Sequence, residues 1–336
     1  MVTIGVDAHK RTHTLVAVDE VGRKLAELTI AAISREHLKV LEWAAKLPGQ
    51  RRWAVEDCRG VSRRLERDLL AAGERIARVP TKLMAGTRKS ARTYGKSDPI
   101  DALAVARAAQ REPDLPEARL DGAERELRLL VDHREHLVNE RTRLISRLRW
   151  HLHELDPALE PRRKGLASAA ALRRLDAQVE PLTGTLVRIA RELILRCLEL
   201  TGSIRSLERE LTERTRALAP ALLAVPGCGA VTAAKLVAET AHVRRFRSAA
   251  AYARHNGTAP LPASSASERH RLSRIGNRQL NAALHRIAIT QARFHPAAQT
   301  MLTRLHDTGK TRAEARRILK RRLSDIVYRA LLADCP

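Results

Sequence analysis

Four acidic residues of this strongly basic chain have the positions expected of metal ligands. Asp7 ends the apolar run VTIGVD, and Glu56 ends the run RWAVE. Asp98 and Asp101 lie in SDPIDALAVARAA, a segment typical of a helix start, and their spacing places both carboxylates on one helical face. Carboxylate oxygens are the ligands that Mg²⁺ prefers, and Mn²⁺ accepts the same set. We therefore predict one divalent-metal site from these four residues, with His9 near it.

Two of these acidic residues also have an explanation that needs no metal. Asp98 could cap a helix whose first position is the following proline, and the helix dipole could stabilise Asp101. Asp7 is harder to explain in this way, because an acid at the end of an apolar strand needs a partner or a cation. Glu56 is followed directly by Asp57, which could serve in its place.

The charge of the chain indicates its partner. The sequence holds 62 Lys and Arg against 38 Asp and Glu, a formal net charge of +24. This charge favours nucleic acid as the partner, and an anionic membrane surface only second. No membrane segment is expected, because the most apolar long stretch, 222–238, contains Pro226 and Lys235. Aromatic residues make up 2% of the chain, so phosphate contacts rather than base stacking should dominate binding.

Length and cysteine content bound the class of protein. A chain of 336 residues is long enough for two or three domains with their own cores. The four cysteines lie far apart without metal-ligand spacing, so we expect reduced thiols. The chain begins with a strand-like segment rather than a signal peptide. The expected location is therefore the cytoplasm, in association with the nucleoid.

The pattern along the chain predicts an α/β domain followed by all-α regions. Residues 1–115 alternate strand and helix patterns after an N-terminal hairpin with a tight turn at Gly22, which indicates a mixed sheet covered by helices. Helices are predicted from an N-cap at Ser34 and from an N-cap at Asp98. Residues 116–219 form a predicted coiled-coil helical region, and 220–336 form a helical C-terminal domain.

Two leucine-rich seams define the middle region. The first has apolar residues in alternating three- and four-residue steps, with Arg134 and Arg141 among its polar exceptions. Its apolar members are Leu120, Ala123, Leu127, Leu130, Leu137, Leu144, Leu148 and Leu155. The second seam holds Leu193, Cys197, Leu200, Ile204, Leu207 and Leu211. An antiparallel hairpin of two helices is the simplest interpretation, although either helix could instead pair between subunits.

The C-terminal block holds two motifs that could contact nucleic acid. The turn VPGCG at 225–229 is typical of a helix-hairpin-helix, in which the amides around Gly227 and Gly229 bind a phosphate, or it is only a helix–helix turn. The stretch 256–277 has no regular pattern and is expected to be irregular. Its strongly basic part supplies further candidate nucleic-acid contacts, Arg269, Arg271, Arg274 and Arg278.

Over nearly its whole length the chain resembles the DEDD-type transposases of bacterial insertion sequences, the IS one-ten class. The resemblance is carried by GVDAHK at 5–10, the strand that ends in Glu56, KSDPIDA at 96–102, the VPGCG turn, and the blocks APLPASSA and HRLSRIGNRQLNAALHRIA within 259–288. The order and spacing of these blocks make the resemblance specific.

The resemblance implies a fold, a reaction and partners. The N-terminal domain would be RNase H/RuvC-like, with the four acidic residues as ligands of Mg²⁺ or Mn²⁺, and the C-terminal domain would contribute a nucleophilic serine. Family members use a structured bridge RNA that pairs with donor and target DNA. They act as homo-oligomers, a dimer or a tetramer here, whose active sites combine domains from different subunits.

Two adjacent serines compete for the role of nucleophile. Ser264 and Ser265 lie between prolines and a basic run, where a side chain could reach a substrate. Family members usually carry Ser-Gly at this point, which indicates Ser265, but this chain has Ala266 in place of the glycine. The choice between the two serines therefore stays open, and this copy could be impaired.

Two other functions fit the sequence. A metal-dependent nuclease or junction resolvase would use the acidic residues alone and would leave no covalent protein–DNA adduct. A non-enzymatic DNA-binding protein would keep the fold and bind DNA without any response to Mg²⁺ or to loss of Asp7.

Overall fold

The computed structural model describes residues 1–56, 60–80, 83–84, 97–112, 114–119, 122–159, 161, 165–264, 267–271 and 276–335, with only the backbone for 262–264 and 267–271. The chain divides into two compact units, Met1–Asp121 and Gly122–Pro336. Within the described part, no helix is long and apolar enough to cross a membrane.

The first unit is built on a mixed five-stranded sheet. Its strands are β1 (Val2–Ala8), β2 (Thr12–Val18), β3 (Lys24–Ala31), β4 (Arg51–Glu56) and β5 (Ile76–Val79), in the order β3-β2-β1-β4-β5. The pairs β1–β2 and β2–β3 are antiparallel, whereas β4 runs parallel to both β1 and β5. The predicted N-terminal hairpin and mixed sheet are thus confirmed.

Among the described residues, three helices accompany this sheet: α1 (Ser34–Ala45), α2 (Arg63–Ala71) and α3 (Asp98–Arg111). Both predicted N-caps are displaced by one residue, because Ile33 precedes α1 and Ser97 precedes α3 in the cap position. Asp98 is therefore already inside the helix, with the proline in its first turn, and the side chain of the N-cap residue Ser97 makes no cap hydrogen bond. The core of the unit includes the fully buried Trp53 from β4.

The second unit is mainly helical. Its helices are α4 (Ala123–Leu155), α5 (Ala169–Val179), α6 (Thr185–Leu218), α7 (Pro220–Leu223), α8 (Ala230–Thr240), α9 (Ala249–His255), α10 (Arg278–Phe294), α11 (Pro296–Asp307) and α12 (Arg312–Ala333). Two short strands, β6 (Leu261–Ser264) and β7 (Ser267–Arg271), lie between α9 and α10. The largest core of this unit joins α8, α10 and α12 through buried side chains such as Leu236, Leu284 and Leu323.

The long helices α4 and α6 pack on each other in antiparallel orientation, as the sequence predicts. At one end Leu127 of α4 shares a core with Leu211 of α6, and at the other end Leu148 shares a core with Ile194. This packing buries apolar surface along most of both helices. The buried surface stabilises the two helices, which would be much less stable as separate segments in water.

The predicted phase of the α4 seam is partly wrong. Leu127 and Leu148 are buried as expected, but the helix completes its buried face with Val131 and Leu152 rather than with the predicted leucines. Leu130, Leu137, Leu144 and Leu155 are only half-buried. Leucines occur on two adjacent faces of this helix, so three- and four-residue steps alone do not decide which face is buried.

Two polar residues that interrupt the α4 seam form hydrogen bonds with polar residues of α6. Arg134 donates hydrogen bonds to Glu208, and Arg141 donates to the Thr201 hydroxyl at 3.0 Å. Both arginines are polar exceptions in the α4 pattern, and both hydrogen bonds join α4 to α6. The pairing satisfies groups that would otherwise be desolvated without partners.

Candidate active site

Two carboxylates and one imidazole converge at the end of β1. Asp7 is buried near the end of this central strand, and His9 follows in the next turn. The His9 Nε2 atom lies 3.0 Å from Asp7 Oδ2 and 3.4 Å from Asp98 Oδ1. One ligand atom from each of the three residues lies within 4.8 Å of the others. His9 thus lies beside two of the four acidic residues, while its position near a bound metal stays a prediction.

A glycine lets the helix that carries Asp98 approach the strand that carries Asp7. A Cβ atom on Gly5 would lie 2.1 Å from the Ala102 carbonyl oxygen and 2.5 Å from the Ala106 amide nitrogen. Contacts this short are impossible, so only glycine permits α3 to pack directly against β1. The alanines of α3 complete this close approach, and they place its first turn beside the end of the strand.

Burial and nearby charges both act on the carboxyl group of Asp7. Burial raises the pKa of its carboxyl group, the neighbouring His9 opposes this rise, and the negative charges of Asp101 and Asp98 add to it. Desolvation and like charge therefore both disfavour the ionised form. A bound divalent cation would remove this penalty, because it supplies the positive charge that the described neighbours provide only through His9.

The other two predicted ligands have different positions. Asp101 is buried one turn after Asp98 on α3, close enough for its charge to act on Asp7. Glu56 ends β4, the parallel neighbour of β1, and because Val6 pairs with Val55 the next residues along the two strands are Asp7 and Glu56. Neither residue belongs to the three-residue group, and both have other interactions. Their role as ligands stays a prediction, and Asp57 lies outside the described residues.

The residues at this edge of the sheet suit a divalent cation. Two carboxylate oxygens, the donors that Mg²⁺ and Mn²⁺ prefer, and one imidazole nitrogen lie within 4.8 Å of one another. Asp98 and His9 are each about half exposed, with 51% of the side chain accessible. A cation held there would remain accessible to a phosphate from solution.

The serine segment forms a β-hairpin rather than the irregular loop expected from its sequence. Strands β6 and β7 pair in antiparallel orientation, with Ser264 opposite Ser267 at the closed end. Ser265 and Ala266, which connect the two strands, lie outside the described residues. Neither LPAS nor SERHR alternates apolar and polar residues, so periodicity carries no strand signal here.

The base of this hairpin is closed by two glycines. A Cβ atom on Gly276 would lie 2.3 Å from the Gly257 amide nitrogen, so the two chain segments touch backbone to backbone. Beside them, the Asn277 N–H group donates a hydrogen bond of 2.7 Å to the His255 carbonyl oxygen. These two contacts therefore fix the position at which the hairpin segment extends from the helical core.

Two of the four candidate nucleic-acid arginines lie in the hairpin, and the other two follow it in the sequence. Arg269 and Arg271 belong to β7, whereas Arg274 lies outside the described residues. Arg278 is exposed at the first position of α10. Their contact with nucleic acid stays a prediction.

The VPGCG segment forms the predicted turn between two helices, α7 and α8. Gly227 has a φ of 81°, and a Cβ atom there would lie 3.2 Å from the Thr290 side chain. Gly229 occupies the N-cap position of α8, and Gln291 donates a hydrogen bond of 2.7 Å to the Pro226 carbonyl oxygen. The turn is thereby held against α10, while its role in phosphate binding stays a prediction.

Comparison with known families defines the class of the protein. Residues 4–157 match the DEDD-type transposase family of IS110, and residues 219–303 match the transposase family of IS116, IS110 and IS902. The first match covers the acidic residues of β1, β4 and α3, and the second covers the VPGCG turn and the serine hairpin. Both matches describe a transposase.

Individual relatives extend over most of the chain. A protein of insertion element IS110 from Streptomyces coelicolor is 30% identical over 78% of this chain and 77% of its own length. A protein of IS116 from Streptomyces clavuligerus is 27% identical over 98% and 94%. A protein of IS900 from Mycobacterium paratuberculosis is 26% identical over 98% and 95%. The chain belongs to the IS110-class family of insertion-element transposases.

Proposed function

We propose that this transposase cuts and rejoins insertion-sequence DNA with an RNase H/RuvC-like acidic site and a serine nucleophile. The convergence of Asp7, His9 and Asp98 is the observation that carries the proposal. The strand order β3-β2-β1-β4-β5, with the acidic residues at the end of the central strand, supports an RNase H-like arrangement of this unit. The family membership supports the DNA substrate.

Asp7 and Asp98, with Asp101 and Glu56 from the same edge of the sheet, would hold Mg²⁺ or Mn²⁺. When bound, the ion supplies positive charge that stabilises the phosphate during transfer. The buried Asp7 fixes the inner end of the site, because β1 is central in the sheet and its backbone is paired on both sides. His9 orients Asp7 from the solvent side through the 3.0 Å contact.

The serine would act from the tip of the hairpin. Ser265, or Ser264 beside it, attacks a backbone phosphorus and forms a new P–O bond, while one bond from phosphorus to a deoxyribose oxygen breaks and that oxygen leaves as a hydroxyl. Rejoining reverses the exchange with a hydroxyl of another strand. The covalent intermediate conserves the phosphodiester energy, so no external energy source is required. The basic residues of β7 and α10 would bind the flanking phosphates.

A structured guide RNA and a homo-oligomer, dimer or tetramer, complete the proposal. The net charge of +24 and the low aromatic content suit recognition of folded RNA through its backbone and shape. The RNA that copurifies with the protein can be sequenced. One predominant, defined species is expected, and a random mixture of cellular RNA would remove the guide from the proposal.

Trapping on labelled DNA tests the nucleophile. We expect the parent protein to form a covalent adduct with insertion-sequence DNA in the presence of Mg²⁺, and Ser265→Ala to abolish it. Ser267→Ala, on the neighbouring strand of the same hairpin, is the matched control and should retain the adduct. Loss of the adduct with Ser264→Ala but not with Ser265→Ala would assign the role of nucleophile to Ser264.

The same assay separates the proposal from its alternatives. Strand exchange that persists in the Ser264→Ala, Ser265→Ala double variant would eliminate serine catalysis and leave a metal-dependent nuclease or resolvase. Binding of DNA without any cleavage, in the presence or absence of Mg²⁺ and after Asp7→Asn, would leave a non-enzymatic DNA-binding protein.

A further inference from the structure

The second unit contains a buried lysine that has no acidic partner among the described residues. Lys320 of α12 is 8% exposed, and its ammonium group donates a hydrogen bond of 2.5 Å to the Asn281 side-chain oxygen on α10. No described carboxylate forms an ion pair with it. The other buried lysine, Lys235, is 4% exposed and is neutralised by Glu135. A buried ammonium group with one neutral partner is costly, because its charge is desolvated without compensation.

Two further basic residues lie one helical turn from this hydrogen-bonded pair. Arg316 precedes Lys320 by one turn on α12, and His285 follows Asn281 by one turn on α10. Burial lowers the pKa of His285, and the charges of Lys320 and Arg316 lower it further. Within the described residues, neither Arg316 nor His285 has an acidic partner. Three basic side chains thus lie on neighbouring turns of α10 and α12, and no described carboxylate forms an ion pair with any of them.

We propose that Lys320, Arg316 and His285 form a binding site for a backbone phosphate of DNA. An ammonium group has three donors, and Lys320 uses one of them on Asn281. A phosphate at this point would accept from the remaining donors and would neutralise the charge that the protein leaves uncompensated. Arg316 is exposed, so the site opens to solvent on its side.

A chain of hydrogen bonds connects this site to the base of the serine hairpin. Asn281 donates to the Asn256 carbonyl oxygen at 2.9 Å, and Asn256 donates to the Ser324 hydroxyl at 2.8 Å. Asn256 is fully buried and adjoins Gly257, where the two sides of the hairpin base touch. The choice of DNA rests on the proposed function, in which this hairpin attacks a DNA strand. A phosphate bound here would hold that strand beside the hairpin base.

The test measures DNA affinity and stability in the same variants. Lys320→Met and Arg316→Ala should each weaken binding of a fluorescent DNA duplex about tenfold and reduce the slope of log K against log salt by about one. Arg329→Ala, an exposed arginine of the same helix, is the matched control. Without DNA, Lys320→Met should unfold at the same temperature as the parent or higher, because an uncompensated buried charge is removed.

Three results would overturn the proposal. The first is an unchanged affinity and salt slope in both variants. The second is a Lys320→Met protein that unfolds at a lower temperature while Arg316→Ala binds DNA like the parent, which would make the lysine structural. The third is that the two variants bind a labelled RNA hairpin more weakly but bind DNA like the parent, which would assign the site to RNA. Absence of a serine–DNA adduct in the parent would refute the proposed nucleophile instead, and the salt slope would still report on this site.

Discussion

Asp7 combines two unfavourable electrostatic conditions. Its carboxylate is buried near the end of β1, and the charges of Asp98 and Asp101 act on it. A group held in this way lowers the stability of the metal-free protein, and residues at functional sites often do so. The stability of the protein should therefore depend on the cation, and the dependence should pass through this residue.

Asp7→Asn should separate folding from metal binding. We expect Mg²⁺ to raise the unfolding free energy of the parent, by about 2.7 kcal/mol at a hundredfold excess over its dissociation constant. The variant should lose this gain, and its metal-free form should unfold no lower than the metal-free parent. Thermal unfolding with and without Mg²⁺ measures both. Asp19→Asn, in the turn before β3, is the matched control and should keep the full gain.

Single residues could be predicted where local sequence decides their position. Asp7 and Glu56 were identifiable because an acid at the end of an apolar run is unusual, and the position of His9 follows from the strand end. Lys320 gave no such signal, because it lies in a basic helix and its burial depends on Asn281, which is 39 positions away in sequence. The importance of Gly5 was also missed, although a glycine within an apolar strand is a usable signal for close backbone approach.

At the scale of elements, the paired helices α4 and α6 show what periodicity can establish. Their length and apolar seams follow from the heptad-like spacing, whereas the antiparallel packing was only the simplest interpretation of two helices joined by a connecting segment. The buried face of α4 does not follow from this spacing, because several leucines lie beside it and help to cover its edges. The β6–β7 hairpin is not predictable in the same way, because neither LPAS nor SERHR alternates apolar and polar residues.

Two adjacent residues of α6 provide a test of this packing. Ile194 is fully buried in the core shared with α4 and α5, whereas Leu195 is 57% exposed. Ile194→Asp should lower the free energy of unfolding by about 4 kcal/mol or more, because it removes apolar contacts and buries an unpaired charge. Leu195→Asp should change it by less than about 0.5 kcal/mol. Urea unfolding compares them, and equal effects would contradict the packing.

At the scale of the whole molecule, charge is the dominant property. The excess of Lys and Arg gives +24, and much of it lies on exposed arginines such as those of α12. Composition alone predicted this property and the nucleic-acid partner, because neither depends on how the chain folds. The division into 1–115, 116–219 and 220–336 stays a prediction beside the two compact units described here.

Nucleic-acid binding should depend steeply on salt. With about 6 phosphate contacts, affinity should fall about a thousandfold between 50 and 200 mM salt, because each neutralised phosphate releases a counterion. Fluorescence anisotropy with labelled DNA across this range measures the slope. A nearly flat salt dependence would contradict binding through the phosphate backbone of the nucleic acid and would indicate base contacts instead.

The close contact at Gly5 also bears on how genomic copies of an insertion element lose their function through mutation. Every single-nucleotide missense change in a glycine codon encodes a residue with a Cβ atom, and at this position any Cβ atom meets the backbone of α3. A genomic copy could therefore retain Asp7, Glu56, Asp98 and Asp101 and still have lost its acidic site. When copies are sorted by sequence into intact and defunct, the codon for residue 5 is as informative as the codons for the acids.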